Sequence, residues 1–146
     1  MGLVHYVAVL LGFIFIFTGF LKLMPVDLGP GFTQAEMKTM FRKYVSVLPI
    51  THIFGVTITT TLYRSAVGLA ETILGSMLAF GRTFWRVFGA FYLLVIMIGA
   101  VATHVKVGDP MAMASPPLIL AIFLLFILVN RRGLSTNYSS SKTKVD

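Results

Sequence analysis

The chain has 146 residues, of which 57% are hydrophobic and only 12% charged, and its mean hydropathy of +0.89 excludes a water-soluble domain. The net charge of +7 would suit nucleic acid, but the basic residues are spread over predicted loops and helix ends, so we expect contact with lipid headgroups and no nucleic-acid partner. The absence of cysteine excludes disulfides, thiolate metal sites and iron–sulfur ligation.

The first predicted membrane span covers about residues 3–23, a length that crosses a hydrocarbon core of about 30 Å. No Lys or Arg precedes this run and no A-x-A-like site follows it, so we expect a retained helix rather than a cleaved signal peptide. Gly12, Gly19 and Lys22 fall on one face of this helix. Lys22 could meet an acidic residue inside the membrane or extend to the headgroups, and both alternatives stay open.

A second helix is predicted between residues 33 and 48. Thr33 and Glu36 have the spacing of a capping box, and apolar residues then recur at helical intervals opposite a basic face that includes Arg42 and Lys43. Because the segment is too polar to span a membrane, we interpret it as an amphipathic helix in the interface plane. The alternative is a helix that docks onto another protein.

The next predicted span covers about residues 62–80 and has Glu71 near its middle; residues 50–63 could be extended or lead into this helix. An acid at that depth costs roughly 2.5 to 3.5 kcal/mol on insertion scales, so Glu71 should face the bundle interior and find a cationic partner. Helical spacing puts these residues on one face: Arg64, Gly68, Glu71, Gly75 and Ala79. We favour a structural ion pair over a functional carboxylate, because no other apolar run contains an acid.

The third predicted span covers about residues 85–104 and ends at His104. We group Lys22, Arg64, Glu71 and His104 as an intramembrane polar cluster that is structural or binds a partner. The three histidines, His5, His52 and His104, lie in separate segments without metal-ligand spacing, so we predict no metal. No paired carboxylates, activated nucleophile or phosphate-binding loop is recognisable, so we predict no catalytic residue, no cofactor and no enzyme.

A turn motif of Gly108, Asp109 and Pro110 should reverse the chain into a last span at about residues 114–130. The predicted fold is therefore all-α: a polytopic membrane protein in which a four-transmembrane-helix bundle occupies residues 1–132, with an amphipathic interfacial helix between helices one and two. Residues 133–146 are rich in serine and lysine and should form a disordered cytosolic tail.

Several short patterns in this order carry a family resemblance: Gly19-Phe20-Leu21-Lys22-Leu23, Glu36-Met37-Lys38, Lys43-Tyr44-Val45, Leu48-Pro49, the helix with Gly68 and Glu71, and His104 before Val107-Gly108-Asp109-Pro110. On these patterns the chain resembles the NACHO family of nicotinic acetylcholine receptor chaperones, within the wider DoxX-like family. The resemblance implies a chaperone of the endoplasmic-reticulum membrane that binds receptor subunits through membrane helices and promotes their assembly and surface trafficking. The alternative is a DoxX-like membrane subunit of a quinone-linked oxidoreductase, or a small-molecule carrier.

The predicted topology places both termini in the cytosol. Lys142 and Lys144 form a K-x-K-x-x ending, the dilysine type of retrieval signal for the endoplasmic reticulum, and it is read only in the cytosol. Lys and Arg divide evenly between the two sides of a four-span topology, but Arg131 and Arg132 directly flank a span, which favours a cytosolic tail. We treat the glycosylation sequon at Asn137 as a chance match, since it would be used only in the lumen.

Overall fold

A computed structural model describes residues 2–24, 27–30 and 33–134 of the chain, with the backbone only at Ile50. These residues form six α-helices and one short 3₁₀ turn, and no strand is found among them, so the all-α prediction is confirmed. In chain order they are α1 (Leu3–Leu23), α2 (Gln34–Ser46), α3 (Pro49–Phe54), α4 (Thr60–Phe80), α5 (Thr83–Val107), α6 (Met111–Val129) and η1 (Arg131–Leu134).

Three helices of the described chain, α1, α5 and α6, are long and apolar enough to cross a membrane. The helix α4 has 21 residues, as many as α1, but it is more polar because it contains Arg64, Glu71 and several Ser and Thr side chains. By length and composition the structure therefore gives three candidate spans where the sequence predicted four.

The helices pack with α4 between α1 and α5, while α6 lies mainly against α5. Large side chains that fill the core come from four helices: Phe15, Leu78, Leu93, Leu124 and Ile127. Many other apolar side chains on α1, α5 and α6 point outward, among them Phe13 and Ile122. An apolar exterior of this extent suits contact with lipid.

The α1–α4 contact is close because glycines from both helices meet there. A methyl carbon added at Gly12 would lie 2.7 Å from the Gly75 carbonyl oxygen, and one added at Gly19 would lie 2.6 Å from the Gly68 carbonyl oxygen. Only small residues allow two backbones to approach in this way. The face predicted for α4 is confirmed by the burial of Arg64, Gly68, Glu71, Gly75 and Ala79, and Leu78, which was not predicted on that face, is buried with them.

The helix α2 begins where the sequence predicted. The Thr33 hydroxyl accepts a hydrogen bond from the Glu36 backbone N–H, and the Glu36 carboxylate accepts one from the Thr33 backbone N–H, which confirms the capping box. Beyond α2, the short helix α3 was not predicted. Gly55 ends α3 with φ of 62°, an extended segment follows, and the Thr59 side chain caps the start of α4.

The last two spans are longer than predicted. The helix α5 extends past His104 to Val107, and α6 begins at Met111, three residues before the expected start. Pro116 therefore lies inside α6 and cannot donate to the Ala112 carbonyl oxygen. The Ser115 hydroxyl donates to that oxygen instead, at 3.0 Å, and the helix continues.

Both ends of the described chain lie at the same end of the bundle, since Gly133 is next to Val4. Gly133 and Leu134, which we expected at the start of the tail, belong to η1, and Leu134 is buried. The rest of the predicted tail, including Asn137, Lys142 and Lys144, lies outside the described residues.

Candidate functional site

Lys22 and Glu71 form an ion pair between α1 and α4. The Lys22 Nζ lies 2.5 Å from the Glu71 Oε2, and the Thr18 hydroxyl donates to the same oxygen at 3.3 Å. Glu71 is 3% exposed, while 21% of the Lys22 side chain is accessible. The carboxylate is therefore fully enclosed, whereas the ammonium reaches the edge of the helix pair.

The glycine contacts bring these two side chains into range. Gly19 and Gly68 pack against each other one turn from the pair, and a methyl carbon at Gly68 would lie 2.8 Å from the Lys22 Cβ. Because the backbones are so close, the short glutamate side chain spans the gap between the helices. The glycines thus set the distance between the α1 and α4 backbones, and at this distance Lys22 can pair with the buried charge of Glu71.

Arg64 lies on the same face of α4 as Glu71 but has a different partner. Its Nη1 donates to the Gln34 Oε1 at 2.9 Å. The Gln34 side-chain amide in turn donates to the Met24 carbonyl oxygen, and the Gln34 backbone N–H donates to Asp27. Gln34 therefore ties the start of α2 to the end of α1 and to α4.

The turn between α5 and α6 has the geometry that its sequence requires. Gly108 adopts φ of 77°, a left-handed conformation in which glycine meets no Cβ penalty, and its N–H donates to the Val105 carbonyl oxygen. The Asp109 N–H donates to the His104 carbonyl oxygen, which completes a Schellman motif. The Asp109 Oδ2 then lies 2.9 Å from the His104 Nδ1, so the turn folds back onto the end of α5.

Tyr44 of α2 packs against this turn. Its hydroxyl lies 3.5 Å from both the Asp109 Oδ2 and the His104 Nδ1, and its ring meets the His104 ring edge to face. Burial raises the pKa of Tyr44 to about 12, with a further contribution from the Asp109 carboxylate. Phe41 adds apolar contact with Tyr63 on α4, so α2 is held by both α4 and the α5–α6 turn.

At the opposite end of the bundle lies a buried arginine, Arg86, near the start of α5, where a basic residue is usually a flanking charge. The Arg86 guanidinium donates to the carbonyl oxygens of Ala79 and Gly81 and contacts the His5 Nδ1. Arg86 therefore caps the C-terminal end of α4 and joins it to α1 and α5. Its spacing from Gly89, Ala90 and Leu93 on one face of α5 was the signal that it would be buried.

The predicted polar cluster is thus divided in the structure. Lys22 and Glu71 come together, Arg64 is bound to Gln34, and His104 belongs to the turn with Asp109 and Tyr44. Position along the helices could have separated Arg64 and His104 from the ion pair. Arg64 lies near the start of α4, and His104 lies near the end of α5.

The chemistry of these groups is that of structural links between helices. The Glu71 carboxylate accepts hydrogen bonds from Lys22 and Thr18, both on the neighbouring helix α1, so it links α4 to α1. Within residues 2–24, 27–30 and 33–134, no three His, Asp or Glu side chains come together as metal ligands would.

Comparison with known proteins gives one consistent result, although no family model matches the chain. Proteins named novel acetylcholine receptor chaperone are similar to it over most of its length. The Bos taurus protein is 28% identical over 136 residues, which are 93% of this chain and 75% of that relative. The Mus musculus protein is 28% identical over 92% of this chain and 78% of its own length. The Xenopus tropicalis protein is 30% identical over 86% of this chain and 75% of its own length.

Proposed function

Because the chain belongs to the novel acetylcholine receptor chaperone family, we propose that it promotes the folding, assembly and surface trafficking of nicotinic acetylcholine receptors in the endoplasmic-reticulum membrane. The similarity over 86% to 93% of the chain carries this proposal, since it extends over most of the chain rather than over one motif. We also propose that the family belongs to the wider DoxX-like group. A chaperone of this kind is not an enzyme.

In this proposal α4 is a fourth membrane span and α2 lies in the interface. At 1.5 Å per residue, the 21 residues of α4 extend about 30 Å, which matches the hydrocarbon core. Its charged residues, Arg64 and Glu71, are buried inside the bundle rather than turned to lipid, which is the arrangement that intramembrane charges require. On α2, Arg42 and Lys43 are exposed and free to meet headgroups.

An even number of spans agrees with the two ends of the described chain lying at one end of the bundle. We propose that this end is cytosolic, where Arg82 and Arg131 are exposed beside the membrane helices. Residence in the endoplasmic reticulum would then depend on Lys142 and Lys144 being read by cytosolic coat proteins.

Receptor subunits would bind through membrane helices, and one position on α5 is suited to such contact. The glycines Gly12, Gly19, Gly68, Gly75 and Gly89 all pack against a neighbouring helix. Gly99 is different: it is exposed, and nothing lies within 4 Å of a carbon added there. Glycine in a helix interior is unfavourable by roughly 0.5 to 1 kcal/mol relative to alanine, and close approach of a partner helix would offset that cost.

Co-purification with receptor subunits tests the proposal. Purification from membranes that also contain nicotinic receptor subunits should recover unassembled subunits and few assembled pentamers, because a chaperone is displaced as the correct neighbours bind. An alternative role as an oxidoreductase subunit predicts a bound quinone or flavin instead. Recovery of such a cofactor, with no receptor subunit, would overturn the chaperone role.

A further inference from the structure

Arg64 is buried, and only one of its three guanidinium nitrogens has a hydrogen-bond partner among the described residues. Arg64 is 7% exposed, and its Nε is buried without a hydrogen-bond partner among the described residues. The Nη1 is bound to Gln34, and no hydrogen bond within the described chain uses Nη2. An unsatisfied buried donor costs roughly 1 to 3 kcal/mol, and more for a charged group.

No carboxylate of the described chain neutralises this charge. The ion pairs of that part of the chain are Lys22 with Glu71 and His104 with Asp109, so Arg64 is in neither. Asp27 approaches the same region but accepts a hydrogen bond from the Gln34 backbone N–H instead of from Arg64. The α1–α2–α4 junction therefore carries an excess positive charge with an unsatisfied Nε–Nη2 edge. Such an edge binds carboxylate or phosphate oxygens in pairs, and an anion reaches the Nε of Arg64 once the atoms that enclose it move aside.

The depth of Arg64 along α4 favours an anion of the lipid headgroup region. It is the fifth residue of α4, so it lies about 6 Å along the helix from Thr60, at the depth where the headgroup region meets the hydrocarbon core if α4 spans the membrane. Exposed Lys38, Arg42 and Lys43 on α2 carry further positive charge at this end of the bundle. Basic side chains at that level attract anionic lipids.

We infer that the unsatisfied edge of Arg64 binds the phosphate of a membrane phospholipid at the junction of α1, α2 and α4. The lipid supplies the counter-charge that the described part of the chain lacks there, and its acyl chains extend beside the bundle. This site rests on α4 being membrane-embedded and is independent of any receptor.

Thermal unfolding of the purified full chain in detergent tests the site. Phosphatidic acid and diacylglycerol with the same acyl chains differ only in the phosphate, so phosphatidic acid should raise the melting temperature saturably, with about one lipid per chain, and diacylglycerol should not. The variant Arg64→Lys keeps the charge but loses the paired donors, and it should need about tenfold more phosphatidic acid for the same shift. The matched control Arg42→Lys, on the exposed face of α2, should respond as the parent does.

Each other result contradicts the inference. Equal stabilisation by diacylglycerol would mean that acyl chains alone bind. A response of Arg64→Lys to phosphatidic acid as strong as the parent's would mean general attraction to positive charge. The same shift with inorganic phosphate would assign a site for soluble anions. If neither lipid acts and Arg64→Lys loses co-purifying receptor subunits, the edge of Arg64 binds a carboxylate of the partner. The comparison of two lipids on the parent chain holds even if Arg64→Lys folds poorly.

Discussion

Lys22 and Glu71 each lie three residues after a glycine of the same helix contact. Gly19 precedes Lys22 on α1, Gly68 precedes Glu71 on α4, and these glycines pack against each other. The closest approach of the two backbones and the buried ion pair are therefore adjacent turns of one interface. The stability of the α1–α4 pair depends on both features together.

The first prediction concerns the buried charge. The variant Glu71→Ala should lower the free energy of unfolding by about 2 kcal/mol, less than the 3 to 5 kcal/mol typical of a fully buried pair because Lys22 can still reach the helix edge. Glu71→Gln should cost less, since its amide can keep hydrogen bonds to Lys22 and Thr18. Thermal melting in detergent measures both. Replacing both partners, Lys22→Met with Glu71→Leu, should recover much of the loss; a Glu71→Ala protein that melts like the parent contradicts the structural role.

The second prediction compares two glycines in the same chain. Gly12→Ala adds a carbon 2.7 Å from the Gly75 carbonyl oxygen, so the helices must separate, at a cost of about 1 to 3 kcal/mol. Gly99→Ala adds the same carbon where nothing lies within 4 Å, and it should stabilise the isolated protein by roughly 0.5 to 1 kcal/mol. Opposite signs in melting temperature are expected. A stabilising Gly12→Ala would mean that the α1–α4 contact is not as close as described, and a destabilising Gly99→Ala would mean that the surroundings of Gly99 are not open.

The third prediction concerns how α2 is held. Asp109→Ala removes the acceptor that Tyr44 and His104 share, so the backbone amides of α2 should exchange hydrogen about fivefold faster, the equivalent of about 1 kcal/mol. Hydrogen exchange with mass spectrometry over residues 34–46 measures this. The control is Thr39→Ala, because the Thr39 hydroxyl is exposed and bonds only the Ala35 carbonyl oxygen of its own helix. Equal exchange in parent and Asp109→Ala would show that the contacts of Phe41 and Gln34 hold α2 without this acceptor.

Sequence patterns predicted the parts of this fold that depend on local spacing. The capping box at Thr33, the buried face of α4 and the bounds of α1 follow from helical periodicity and turn chemistry. Partner choice did not follow in the same way, because Lys22 could equally have extended to the headgroups. Only the packed α1–α4 contact shows that Lys22 lies within range.

The burial of Arg86 shows why other features were missed. An arginine beside an aromatic residue at a helix start usually marks the membrane boundary, and that interpretation ignores the backbone of other helices. The carbonyl oxygens of Ala79 and Gly81 become acceptors for Arg86 only once α4 ends against α5. Such acceptors leave no trace in side-chain patterns.

The fourth prediction concerns the side of the membrane on which the ends lie. Since the described ends lie together and are proposed to be cytosolic, Asn137 should never be glycosylated when the chain is expressed in animal cells. Glycosidase treatment should therefore leave its gel mobility unchanged. A shift that is lost in Asn137→Gln would place this end in the lumen, where Lys142 and Lys144 could not act as a retrieval signal.

Delivery of nicotinic acetylcholine receptors to the cell surface measures the proposed function most directly. In cells that express receptor subunits, adding the parent chain should raise surface receptor several-fold, as surface biotinylation would show. Gly99→Leu should lose most of this gain, because a leucine at Gly99 keeps a partner helix away from α5. Ala66→Leu, which introduces the same side chain at an exposed position on α4, should act like the parent. No rise with the parent chain would contradict the chaperone role, and equal rises in parent, Gly99→Leu and Ala66→Leu would contradict docking at α5.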